Sequence, residues 1–295
     1  MAKQRHFYMI MTIAAMFCAC GQRAPQTEGK ETTDSIAATV SQDSLMADVG
    51  NMVTVETVQF EKNDSSAEVS LLVHWPVSGD KVIVDSLRKH ICWLLDGEFD
   101  DPKDFQTYGE SLFESVSAEW HDVYDEMEPD DRLGAFSRSH DITKLTETAS
   151  YITYYYSNFM YGGGAHGFTT EVGFTFRKSD GKQIPLLTNT DSPKLSALIK
   201  EGVRRHFSGD ADHLLSDDEL LEYLFAEEVS SLNNIPLPGN SPYLSDTGVV
   251  FNYTQYEIAP YSSGIIIFEI PFQDIRPFLT PEALEMIDAN RPDMR

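Results

Sequence analysis

From residue 53 onward, apolar and polar positions follow two periods. Val53 to Phe60 and Ala67 to His74 read as strands. Ile83, Leu87, Ile91 and Leu94 then recur at i, i+4, i+8 and i+11, one face of an amphipathic helix. Leu112, Phe113, Val116, Trp120, Val123 and Met127 mark a second helix with an acidic opposite face, ended by Pro129. Strands follow at about 136–146 and 149–159, the second carrying the β-branched and aromatic run Tyr151 to Tyr156. After the glycine-rich break Gly162 to Gly167, the next strand sets Phe168, Val172, Phe174 and Phe176 on one face and Thr169, Glu171 and Thr175 on the other. It closes in a turn at Ser179-Asp180-Gly181. Ser192-Pro193 opens a helix with Pro at its first position, and Ser216 with Glu219 forms a capping box that opens another. Asn233 to Pro242 is a loop, Val249–Tyr253 and Ile265–Ile270 are strands, and Pro281 starts a last short helix. Strands and helices are grouped rather than alternating, which predicts an α+β fold: antiparallel sheets with helices packed on one face, in two associated subdomains at 51–182 and 183–295.

The remainder of the chain is different in kind. Lys3 and Arg5 precede an apolar stretch from Phe7 to Cys18 with only Thr12 polar, too short for a membrane-spanning helix and suited to a secretory signal over residues 1–19. It ends Phe17-Cys18-Ala19-Cys20-Gly21, which resembles a bacterial lipobox, so Cys20 is the expected lipid-attachment residue. Two or more acyl chains hold stably where one holds only marginally. Residues 20–50 are rich in Ser, Thr, Gln and Asp without a sustained apolar face, and read as a lipidated N-terminus and flexible tether. Cleavage and lipidation would leave Cys92 without a disulfide partner; its apolar surroundings predict a buried structural thiol.

Charge narrows the partners. The 295 residues carry 22 Lys plus Arg against 47 Asp plus Glu, a formal net charge of −25. Such a field repels phosphate backbones and excludes nucleic acid as a partner, while attracting a basic protein. The acids concentrate in Asp96–Asp131 and Asp210–Glu228, as solvated helix faces or as a surface that steers a cationic partner.

Two separated runs carry a family likeness. Gly163-Gly164-Ala165-His166-Gly167 leads into the alternating strand and its Gly181-Lys182 turn. Further on, Gly248 to Tyr253 continues through Thr254-Gln255-Tyr256-Glu257-Ile258-Ala259-Pro260-Tyr261 to Gly264. Together they resemble the extracellular domain of RsiV-type anti-sigma factors, a domain of unknown function also found beside some peptidoglycan deacetylases. The likeness covers roughly residues 150–280. It implies an envelope protein and a domain that can bind lysozyme, a small basic protein. The sequence shows no sigma-binding segment, internal transmembrane helix or deacetylase domain, so those roles are not implied. By analogy with bacterial lipoproteins, Gly21 rather than Asp after Cys20 favours an outer-membrane location facing the periplasm or the cell surface.

The residues point to no cofactor and no metal. No two histidines stand three to five apart, which excludes zincin and zinc-finger spacings. Gly162–Gly167 enters a strand rather than a helix and lacks the Lys-Ser/Thr ending of a phosphate loop; it reads as a turn that needs positive φ, with His166 packing on it or binding a ligand. There is no Gly-x-Ser-x-Gly elbow. Tyr253, Tyr256 and Tyr261 beside Glu257 suit a glycan or protein contact, or else a rigid corner with buried rings. The expected function is therefore recognition of a peptidoglycan-type glycan or a lysozyme-like basic protein. His166, Tyr253, Tyr256, Glu257 and Tyr261 are the candidate ligand residues. The alternative is a carboxylate-based hydrolase of cell-wall sugar.

Overall fold

A computed structural model describes residues 52–124, 134–209 and 214–290. Cys20, the signal, the tether, Met127 and Pro129 lie outside the described residues. The elements run β1 (Thr54–Asn63), β2 (Ala67–Ser78), α1 (Lys81–Leu94), α2 (Asp104–Tyr124), β3 (Phe136–Glu147), β4 (Tyr151–Tyr161), β5 (Phe168–Arg177) and β6 (Lys182–Gln183). Then come α3 (Pro193–Ser208), α4 (Asp217–Tyr223), β7 (Tyr243–Leu244), β8 (Gly248–Tyr253), β9 (Ile266–Pro271), α5 (Phe272–Ile275) and α6 (Pro281–Asp288).

The fold is α+β, as expected, with one correction to the strand directions. A six-stranded sheet has the order β1-β2-β3-β4-β5-β6, and a three-stranded antiparallel sheet the order β7-β8-β9. Within the large sheet β2 and β3 run parallel, Ala67 facing Phe136 through Val73 facing Ile142. Two helices between these strands return the chain across the sheet before it re-enters, which is the connection a parallel pair needs. α2 also starts earlier than its apolar residues indicate. The Asp104 carboxylate accepts from the N–H groups of Asp100 (2.8 Å) and Asp101 (2.9 Å) and fixes the turn that leads into it. The capping box at Ser216 and Glu219 and the Pro193 start both form.

The large sheet is covered on both faces. Ile152, Tyr154 and Phe176 pack with Ile83, Leu87 and Ile91 of α1 and with Trp75 and Phe105. Phe60, Val69 and Leu71 pack with Phe113, Val116 and Trp120 of α2. The opposite face holds the C-terminal unit. There the Thr153 hydroxyl donates to the Leu244 carbonyl (2.8 Å), and the Leu244 N–H donates to the Thr175 hydroxyl (2.8 Å). Thr153 is fully buried and Thr175 nearly so. The polar row of β5 thus faces a second layer and is satisfied by it rather than by water. Helices on one face is correct for the large sheet, but its other face is an inter-unit interface.

Two glycines permit this packing. The Tyr243 ring lies where a Cβ on Gly173 would fall, 2.2 Å from its nearest ring carbon, and the Phe268 ring lies 2.1 Å from the corresponding point on Gly202 of α3. The C-terminal core gathers Leu195, Ile199 and Val203 of α3 with Phe251, Tyr253 and Ile270 of the small sheet. Cys92 is half-buried, with its thiol 3.9 Å from the Phe99 carbonyl.

Candidate functional site

Beyond Tyr161 the chain must reverse into β5. Gly163 and Gly164 take φ of 86° and 99°, in the left-handed region that costs a side chain about 1–2 kcal/mol. The Tyr161 hydroxyl donates to the Gly164 carbonyl (3.0 Å) and ties the loop down. The turn reading of this run therefore holds. It also leaves His166 pointing at the segment after β8.

That segment is braced from beneath. The Glu257 carboxylate accepts from the Thr254 N–H (2.7 Å), the Thr254 hydroxyl (3.2 Å) and the Gly239 N–H (2.6 Å). Both oxygens are engaged, so Glu257 shapes the corner and links it to the 236–242 loop. Tyr253 is fully buried and its hydroxyl donates to the Pro236 carbonyl (2.6 Å); burial raises its pKa well above the usual phenol value. It is a core residue behind the surface.

The other three candidates converge. The His166 and Tyr261 rings stack with centroids 3.6 Å apart and planes 17° from parallel. The Tyr256 hydroxyl lies 3.1 Å from His166 Nε2, and His166 Nδ1 lies 3.0 Å from the Gly167 carbonyl. A carbonyl only accepts, so Nδ1 carries the proton of the neutral ring and Nε2 accepts from the tyrosine. Tyr256 is 46% exposed and has φ of 68°, a left-handed conformation for a bulky residue. Strain of this kind persists where the surroundings over-determine it, here through His166 and Tyr261. The result is an exposed aromatic corner with a hydroxyl and an imidazole edge. Among the described residues, no group of three His, Cys, Asp or Glu is placed to hold a metal ion, and no helix is long and apolar enough to cross a membrane.

Two amides that sequence reasoning did not single out lock this corner to the large sheet. Gln255 Oε1 accepts from the Thr169 N–H (2.9 Å), and Asn252 Nδ2 donates to the Glu171 carbonyl. Both sit inside the Gly248–Gly264 run. Their spacing of three, with the first inside a β-strand, was the available signal.

The sequence model of a family described as "Protein of unknown function (DUF3298)" matches residues 186–273. The match opens after β6, so β8 and the Tyr256–Tyr261 corner lie within it and His166 outside it. A crystal structure of a DUF3298 family member from Bacteroides fragilis NCTC 9343 is similar in fold, with a TM-score of 0.61 and 17% identity over 80% of this chain and 97% of that one. Its coverage extends beyond the matched family region into the six-stranded sheet. A DUF3298 family protein from Pseudomonas aeruginosa PAO1 aligns with a TM-score of 0.45 and 14% identity over 80% and 98%. No curated protein matches the chain.

Proposed function

We propose that this protein is a lipid-anchored component of the bacterial cell envelope that recognises a cell-wall glycan through His166, Tyr256 and Tyr261. The observation that carries the reading is the convergence of these three side chains from two segments 90 residues apart in sequence onto one exposed corner. Aromatic rings with polar tips are the usual contact surface where one end of the side chain is apolar and the other wet. The neighbouring carboxylate, Glu257, is occupied by backbone and hydroxyl donors, so the corner offers rings and hydrogen-bonding edges, which suits a neutral polyhydroxylated ligand. Anchoring rests on the lipobox at Cys20, and the outer-membrane location on Gly21, rather than Asp, after that cysteine.

The test uses the full chain expressed in a bacterial envelope. Cys20→Ser abolishes incorporation of labelled palmitate. The protein co-sediments with purified sacculi, and His166→Ala with Tyr256→Ala weakens this at least tenfold while leaving the melting temperature within a few degrees. Lysozyme serves as the cationic comparison across a salt series. Binding to lysozyme that disappears with salt, with none to sacculi, would move the ligand from glycan to basic protein.

A further inference from the structure

The outer edge of β5 is covered in part. β4 pairs along the inner edge from Tyr151 facing Arg177 to Met160 facing Phe168, while β6 meets the outer edge only at Phe176 and Arg177. In an antiparallel ladder alternate residues direct both N–H and C=O to the same edge. The Thr169 N–H is taken by Gln255, the Glu171 carbonyl by Asn252 and the Arg177 carbonyl by the Gly181 N–H. By that alternation Gly173 also presents its N–H and C=O outward. Among the described residues no strand ladder and no capping side chain reaches the edge there.

The gap has a cause. After Gln183 the chain is drawn to the C-terminal unit. The Thr280 N–H donates to the Leu186 carbonyl (2.9 Å), the Thr188 N–H donates to the Phe278 carbonyl (2.7 Å), and Leu187 bridges to Leu279. The space left beside β5 is a cavity of about 450 Å³, within the range of ligand pockets, about 300–1,000 Å³. Gly173 and Thr175 lie on one side, Pro185 and Leu187 on a second, and Leu237 and Asn240 on a third. Asn240 Nδ2 is buried without a hydrogen-bond partner. The Gly239–Glu257 bond holds this last wall. No charged residue lines the cavity, although the chain carries a net charge of −25.

We infer that this gap takes an extended, uncharged peptide segment of about four residues, matching the edge from Val172 to Thr175 at about 3.3 Å per residue, which adds a strand to β5. Main-chain pairing with Gly173 supplies the affinity and the apolar walls accept alternate side chains. The uncharged lining favours an occupant without charge. A polysaccharide has no row of alternating N–H and C=O groups at strand spacing. The inference does not rest on the glycan reading: His166, Tyr256 and Tyr261 do not line the cavity, although Glu257 braces both places.

The experiment probes the full chain with a library of N-acetylated, C-amidated tetrapeptides of uncharged residues, read by hydrogen–deuterium exchange. Binding slows exchange of the Gly173 amide several-fold. N-methylation of the central peptide amide weakens binding at least tenfold. Ser241→Trp, or Thr190→Trp should the first fail to fold, fills the gap from an exposed position and abolishes protection without lowering the melting temperature. No slowing at Gly173 at millimolar peptide overturns the proposal. So does equal binding of the N-methylated peptide, or protection by chitotetraose where the peptides give none.

Discussion

Removing the charge of Glu147 should destabilise the protein more than any surface ion pair could. Its carboxylate, 1% exposed, accepts from the Lys178 ammonium (2.8 Å) and the Val53 N–H (2.8 Å) on one oxygen and from the Lys144 ammonium (3.2 Å) on the other. Lys178 is 4% exposed and also donates to the Thr148 carbonyl (3.1 Å). Glu147→Gln keeps the shape and leaves that ammonium buried without its counter-charge, which costs about 3–5 kcal/mol, against 0–1 kcal/mol for an exposed pair. With an m-value of about 3 kcal/mol/M in urea, the unfolding midpoint falls by about 1–1.7 M. Replacing Glu147 and Lys178 together, Glu147→Leu with Lys178→Met, removes the penalty of the buried ammonium and recovers part of the loss, leaving about 1–3 kcal/mol for the Val53 N–H and the Lys144 ammonium that lose their acceptor. Urea unfolding followed by tryptophan fluorescence measures all three proteins. A single-variant loss below about 1 kcal/mol, or a double variant no better than the single, would refute the reasoning.

Gly202→Ala removes a mid-helix glycine, which alone would gain about 1 kcal/mol, but its Cβ would meet the Phe268 ring; overpacking of about 1–3 kcal/mol wins, the melting temperature falls, and adding Phe268→Leu recovers it. Asn252→Ala or Gln255→Ala should speed amide exchange on β5, at Thr169 for the second variant, with little change in global stability. Burial holds the pKa of His90 and of His140 at about 4, and for His140 the nearby Arg138 adds to the effect. Folded values below the ordinary 6.5 mean that the unfolded chain takes up these protons first. Stability is therefore full above about pH 6.5 and declines as pH falls toward 4, and His140→Gln should flatten that slope in urea unfolding between those limits.

Much of the architecture follows from local pattern. α1 and α3 stand where the apolar spacing puts them, and the capping box and the Pro193 start are read directly from residue types. The pattern does not carry direction: nothing in Ala67–His74 or residues 136–146 says that β2 and β3 run parallel, because that depends on where two intervening helices return the chain. Nor does it carry what covers a face. The sequence sets Thr175 on the polar face of its strand but does not show that a second sheet supplies the hydrogen bonds of Thr175 and Thr153. At the candidate site, His166, Tyr256 and Tyr261 are legible as residues, but their meeting is a tertiary fact. Tyr253 differs from Tyr256 and Tyr261 in ending β8, whose six residues are all buried, so its ring lies in the C-terminal core. Glu257 reads as a free carboxylate because backbone donors such as the Gly239 N–H leave no trace in side-chain sequence.

Recognition at the His166–Tyr256–Tyr261 corner is read by sedimentation with purified sacculi. The parent protein should be retained and the folded His166→Ala, Tyr256→Ala variant released. Equal retention of both proteins, or of neither, would contradict it.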